Sequence, residues 1–184
     1  GIRHLKIADG GFFEQSNANR QSLWSKETDG VEKTKTAQEF AESLGAKCKI
    51  EKYGEITRAN SAKFAKGCLA VIDATDRAHS RLAVWTGCKK SRAHYIFASA
   101  LGEKGMLSVF TPKKHDFEKE FGMKGKKHEN FLSCDHSLGP VANTIGCLAA
   151  QQAINAILQK PLLLFPKVLS LDAFSHEPLT LHEF

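Results

Sequence analysis

The charged and amide side chains of this chain cluster where chemistry on a phosphate could be done. Asp9 closes an alternating segment, Ile2 to Ala8, that reads as a strand running into a Gly10-Gly11 turn. Asp73 and Asp76, in Asp73-Ala74-Thr75-Asp76, follow the apolar run Cys68 to Ile72. Ligands of open α/β sheets bind outside the carboxyl ends of the strands, where an acid can accept ribose hydroxyls or hold Mg²⁺ against phosphates. Helix N-caps and turn residues are the plain alternative for the same acids. Ser16-Asn17-Ala18-Asn19-Arg20-Gln21 gathers a hydroxyl, amides and a guanidinium between a strand end and a helix. Arginine makes planar, bidentate contacts to phosphate oxygens. Lys33, after Gly30, stands at a helix start against the helix dipole. A phosphate beside it would account for that placement; an exposed lysine is the alternative.

The elements that must position these groups alternate. Helical spacing of Ala37, Phe40, Ala41 and Leu44, stopped by Gly45, predicts a helix over Thr36 to Leu44. A strand is expected at Cys48 to Ile50 and a short helix at Ala62 to Ala65. Cys68 to Ile72 shows no alternation, which predicts a strand buried on both faces, as in a parallel sheet. Arg77 to Lys89 is helical in pattern, with Leu82, Val84 and Trp85 on its apolar side. Tyr95 to Ser99 and Met106 to Thr111 read as neighbouring strands. Gly139-Pro140 opens a long apolar helix, Val141 to Leu158, with proline at a tolerated first-turn position. Val168 to Asp172 and Leu179 to His182 form a last pair of strands. The expectation is an α/β fold: one domain over 1–184 with a Rossmann-like, mainly parallel sheet, flanking helices and a C-terminal strand extension.

At 42% hydrophobic over 184 residues the chain can bury a real core. No apolar run reaches the roughly 18–20 residues that span a bilayer, and no signal peptide is expected. Five cysteines without a CxxC pair argue against a disulfide framework and for a reducing cytoplasm. Cys48, Cys68 and Cys147 lie in apolar runs and are expected in the core. The net charge of +6 is uneven. Lys113, Lys114, Lys119, Lys124, Lys126 and Lys127 crowd one segment, either a solvated loop or a docking surface for an acidic partner.

Taken in order, Asp9, Glu14 with Ser16-Asn17-x-x-Arg20-Gln21, Gly30-x-x-Lys33 and Asp73-Ala74-Thr75-Asp76 resemble the ThiF/MoeB/HesA family. So do the helix motif Leu138-Gly139-Pro140-Val141-Ala142-x-x-Ile145-Gly146 and the closing Leu171-Asp172. The resemblance implies ATP- and Mg²⁺-dependent adenylation of the C-terminal glycine of a ubiquitin-like sulfur-carrier protein, by a homodimer. It implies ribose binding by Asp9, a triphosphate loop of Ser16, Asn17, Asn19 and Arg20, phosphate binding by Lys33, and Mg²⁺ organisation by Asp76. In ThiF-like members a cysteine near the position of Cys134 takes part in sulfur transfer. His136, close in sequence, could lower its thiol pKa, while an ordinary free thiol is the other reading.

The sequence also departs from that family. The opening strand and glycine-rich turn are not in the chain, which starts on Gly1; either the natural protein is longer or this is a homologue that does not bind ATP normally. Gly11 stands where a second acid is common, and Arg77 where asparagine is usual next to the nucleotide-binding acid. The paired CxxC motifs are missing, so no zinc is expected. Two rival readings remain open: an enzyme like tRNA threonylcarbamoyladenosine dehydratase, the case in which nucleic acid would bind the basic loop, and a non-catalytic binding partner.

Overall fold

The computed structural model describes residues 2–121 and 137–184. Cys134 and His136, and Lys124, Lys126 and Lys127 of the basic segment, lie outside the described residues. The chain divides into two compact units, Gly1–Ile56 and Thr57–Phe184.

In the first unit, strand β1 (His4–Ala8) pairs in parallel with β2 (Lys49–Tyr53), from His4 opposite Lys49 to Ala8 opposite Tyr53. Between them come a 3-10 turn, Gln15–Asn17, and helix α1, Lys33–Ser43. Gly45 takes a φ of 70° and its N–H closes on the Glu42 carbonyl. A left-handed residue of this kind ends a helix, and glycine adopts it at no steric cost. The spacing that marks α1 does not mark its buried face. Thr34 and Thr36 are the buried residues, whereas Leu44 is 70% exposed and Phe40 is exposed as well.

The second unit holds the sheet β3 (Ala70–Asp73), β4 (His94–Leu101), β5 (Lys104–Phe110), β6 (Lys167–Asp172) and β7 (Leu179–Glu183), in that spatial order. Its helices are α2 (Ser61–Ala65), α3 (Ala78–Ser91), α4 (Phe117–Glu120) and α5 (Gly139–Ile157). The α/β class, the flanking helices and the C-terminal strands are as expected. Pairing is parallel for β1–β2 and β3–β4, the pairs joined through a helix, and antiparallel from β4 to β7. Only Gly102 and Glu103 separate β4 from β5, too short a link for the crossover that a parallel pair requires.

Two packed layers fix this sheet. On one face Val141, Ile145 and Ala149 of α5 recur four residues apart and seal Ile96, Ala98, Leu107, Val109 and Leu171. On the other, Trp85 of α3 meets Tyr95 edge-on at 5.5 Å, and Phe110 and Phe117 complete an aromatic cluster. Such ring pairs contribute roughly 0.5–1.5 kcal/mol each beyond their burial. Two expectations are corrected here. Strand β3 is not buried on both faces: Val71 and Asp73 are buried but Ile72 is 41% exposed, because β3 is the outermost strand of the described sheet and α5 lies chiefly over β4 and β5. Cys147 is exposed rather than in the core, since α5 buries a single stripe and Cys147 falls off it; Cys48 and Cys68 are half-buried. No described helix is long and apolar enough to cross a membrane.

Candidate nucleotide-binding site

The carboxyl ends of β1 and β2 carry the first group of residues. Parallel pairing sets the end of β1 beside the end of β2, and the Asp9 N–H donates to the Tyr53 carbonyl at 3.2 Å. A cleft of about 240 Å³ opens there, lined by Asp9, Gly11, Glu32, Thr34, Lys52 and Tyr53 among others. Asp9 is held by the Gly11 N–H, which donates to its Oδ1 at 2.7 Å. Lys33, the first residue of α1, donates its own N–H to the Gly11 carbonyl at 3.1 Å. Its ammonium stands 6.0 Å from the Phe13 ring centre.

Gly11 therefore sits between an anion and a cation. A Cβ built on it would lie 3.1 Å from Asp9 Oδ1 and 3.6 Å from Lys33 Nζ. A side chain there would crowd the Asp9 carboxylate, and glycine lets this acceptor and this donor stand close together. Lys52, Tyr53, Glu32 and Thr34 were not singled out from the sequence. The signal for Lys52 and Tyr53 is topological: they end a strand parallel to β1, and the rule that ligands lie at carboxyl ends applies to both strands.

The next four residues form one hydrogen-bonded loop. Asn17 is 6% exposed and its Oδ1 accepts the Glu14 N–H at 3.3 Å, while its Nδ2 donates to Ser16 Oγ at 3.3 Å. Arg20 donates from Nη1 to the Ser16 carbonyl at 2.8 Å and to Asn19 Oδ1 at 2.9 Å. Ser16, Asn19 and Arg20 thus share a surface, with Asn17 beneath as its internal support. A guanidinium held in a fixed orientation is a planar donor set of the kind that binds planar anions.

Asp76 and Arg77 belong to the second unit. They follow β3, with Arg77 the exposed N-terminal cap of α3. Asp76 is half-buried, and among the described residues its carboxylate makes no hydrogen bond or ion pair. Asp73, three residues earlier, is turned inward and is 1% exposed. Its Oδ1 accepts from the Thr75 N–H at 2.9 Å and the Thr75 hydroxyl at 2.7 Å, and its Oδ2 accepts from the Tyr95 hydroxyl at 2.5 Å. The buried Arg81 places Nη1 3.7 Å from Asp73 Oδ1 and donates to the Ala98 carbonyl at 3.1 Å. Of the two acids at the end of β3, Asp73 is satisfied from within and Asp76 is the one available to a ligand. Mg²⁺ is commonly held by one or two carboxylates together with phosphates and water, and one available carboxylate fits that pattern. No described cluster of three or more His, Cys, Asp or Glu forms a metal site from protein groups alone. Arg81 and Tyr95 were not singled out from the sequence; an arginine directly preceding the apolar run Leu82 to Trp85 was the available signal.

Burial first, and then the Asp73 charge, pushes the Tyr95 phenol well above its ordinary value, so it remains a donor. Unfolded tyrosine ionises near pH ~10. Above that pH the folded state keeps a proton that the unfolded chain has lost, so the contribution of Tyr95 to stability is complete below pH ~10 and declines as the pH rises further. Denaturant titrations at about pH 9 and about pH 11 are expected to show a smaller loss of stability in Tyr95→Phe than in the parent. Equal losses in the two proteins would contradict this assignment.

The model of the ThiF family matches residues 1–183. The chain belongs to the ThiF family. Among its ThiF-like relatives are the adenylyltransferase and sulfurtransferase MOCS3 of Anopheles gambiae, 26% identical over 94% of this chain and 40% of that protein. Another is the molybdopterin-synthase adenylyltransferase of Haemophilus influenzae, 26% identical over 95% of this chain and 73% of that one. The chain thus spans two fifths of the length of the first and about three quarters of the second. In structure it resembles MccB of E. coli with ATP, with a TM-score of 0.74 and 17% identity, covering 99% of this chain and 56% of that one. That likeness establishes a ThiF-type fold.

Proposed function

We propose that this chain is the nucleotide-handling part of an adenylyltransferase that activates the C-terminal carboxylate of a ubiquitin-like sulfur carrier, of the molybdopterin or thiamine type. The observation that carries the reading is the close approach of the Asp9 carboxylate and the Lys33 ammonium on either side of Gly11, at the carboxyl end of β1 where the cleft opens. An acceptor for ribose hydroxyls beside a donor for phosphate is what a nucleotide requires. The names of the relatives, adenylyltransferases in each case, support the same class.

In this reading a carboxylate oxygen of the carrier attacks the α-phosphorus of ATP. The bond to the β-phosphate oxygen breaks, pyrophosphate leaves with the electron pair, and the carrier ends as an acyl adenylate. Asp9 accepts hydrogen bonds from the ribose. Arg20 and Lys33 supply positive charge against the phosphates, and fixed charge aimed at a developing anion is usually the largest catalytic contribution. Bound Mg²⁺ would add charge neutralisation at the pyrophosphate, with Asp76 as its protein ligand. A second copy of the chain is the other partner implied, and Ile154, Ile157 and Leu158 give the outer flank of α5 exposed apolar area for it.

The test is pyrophosphate exchange into ATP by the protein of full natural length, with Mg²⁺ and carrier proteins that end in Gly-Gly. Carrier-dependent exchange is expected, reduced about 100-fold in Asp76→Ala, in the range found when one preorganised electrostatic group is removed. A folded protein that neither binds ATP nor exchanges with any carrier would make this chain a non-catalytic partner instead.

A further inference from the structure

We propose that Asp73 is a positioning residue, which, braced by Arg81 and Tyr95, sets the turn that presents Asp76; this rests on the adenylation reading of Asp76. The turn Asp73-Ala74-Thr75-Asp76 is fastened at one point. Both the N–H and the hydroxyl of Thr75 donate to Asp73 Oδ1, at 2.9 and 2.7 Å. The peptide that follows Thr75 carries Asp76, so the direction of the Asp76 side chain is set by how firmly Thr75 is held.

Asp73 is in turn fixed from two further elements. Tyr95 of β4 donates to its second oxygen. Arg81 of α3 faces its first oxygen at 3.7 Å, is itself tied to the Ala98 carbonyl, and stacks its guanidinium 4.7 Å over the Phe97 ring. Both members of the pair are almost wholly buried, with side-chain exposures of 3% for Arg81 and 0% for Asp73. A buried ion pair gives little net stability compared with apolar residues of the same shape. Its presence at the foot of this turn is explained by geometry. The carboxylate is a fixed double acceptor, and a neutral, rotatable group would not hold Thr75 in one place. Since both its oxygens are occupied from within, Asp73 reaches a ligand only through Thr75 and Asp76.

Thr75 is the residue to change, because it leaves the buried pair intact. Thr75→Val keeps the shape and deletes the hydroxyl, Thr75→Ala deletes it without the added methyl, and Thr75→Ser restores it. The readouts on the full natural-length protein are the Mg²⁺ concentration for half-maximal pyrophosphate exchange and the calorimetric affinity for Mg²⁺ with a non-hydrolysable ATP analogue. Both are expected to weaken about fivefold in Thr75→Val and Thr75→Ala, the equivalent of one ordinary hydrogen bond, and to return to the parent value in Thr75→Ser. An unchanged Mg²⁺ requirement in folded Thr75→Val or Thr75→Ala, or equal weakening in Thr75→Ser, overturns the inference. The two readings separate in the parent protein. Analogue binding without exchange removes adenylation and leaves the positioning role to be judged by calorimetry. Failure of the parent to bind Mg²⁺ with the analogue removes both.

Discussion

Arg81→Met is expected to lower the unfolding free energy by about 3–5 kcal/mol, the usual cost of leaving one member of a buried ion pair without its partner. Asp73 would keep three neutral donor contacts, two from Thr75 and one from Tyr95, but would lose the only cation within 4 Å among the described residues. Methionine replaces much of the arginine's volume, so the loss is electrostatic more than a cavity. The Ala98 carbonyl would also lose its side-chain donor. The measurement is a urea titration followed by tryptophan fluorescence, where Trp85, fully buried in the same unit, reports on this region. Combining Arg81→Met with Asp73→Asn should recover part of the loss, because the stranded charge is then gone. Strict additivity of the two changes, or a cost for Arg81→Met below about 1 kcal/mol, would show that the two groups do not interact.

Gly87→Val is expected to destabilise by about 3 kcal/mol or more, at the upper end of the overpacking range. Gly87 lies within α3 where the helix crosses the start of α2. A Cβ there would stand 2.5 Å from the Ser61 carbonyl oxygen and 2.8 Å from its carbon. Those are backbone atoms of a fully buried residue, so relief requires shifting α2 as a body. The β-branch adds two further carbons where one does not fit. Gly146 in α5 is the control: a Cβ there meets nothing within 4 Å. Gly146→Ala should stabilise by up to about 1 kcal/mol, the difference in helix propensity. Denaturation midpoints of the two variants moving in the same direction would contradict the close packing of α2 on α3.

Local pattern located the elements other than the 3-10 turn and the one-turn α4, because helical and strand periods are written into short stretches of side chains. Gly45 at the end of α1, Pro140 at the start of α5 and the acid closing β1 were legible for that reason. The sequence also carried the ordered motifs by which the chain belongs to the ThiF family. It could not say which face of an element is covered. Phe40 and Leu44 have helical spacing yet face outward, and Cys147 lies on an apolar helix yet is exposed, since burial depends on what another part of the chain lays against them. The same limit applied to the two acids at the end of β3. Asp73 and Asp76 present one local signal, an acid at a strand end. Only the fold separates them: it brings Tyr95, 22 residues on, to one oxygen of Asp73, and ties Arg81 beside the other to Ala98, 17 residues further along, so that Asp73 is locked inside. Likewise Gly11 read as part of a turn, and its meaning came from packing: the start of α1 folds back on the end of β1, and the absence of a side chain lets Asp9 and Lys33 stand close together. Contacts between residues near in sequence follow from composition and period; contacts across the fold are made by chain closure, which no short window of sequence contains.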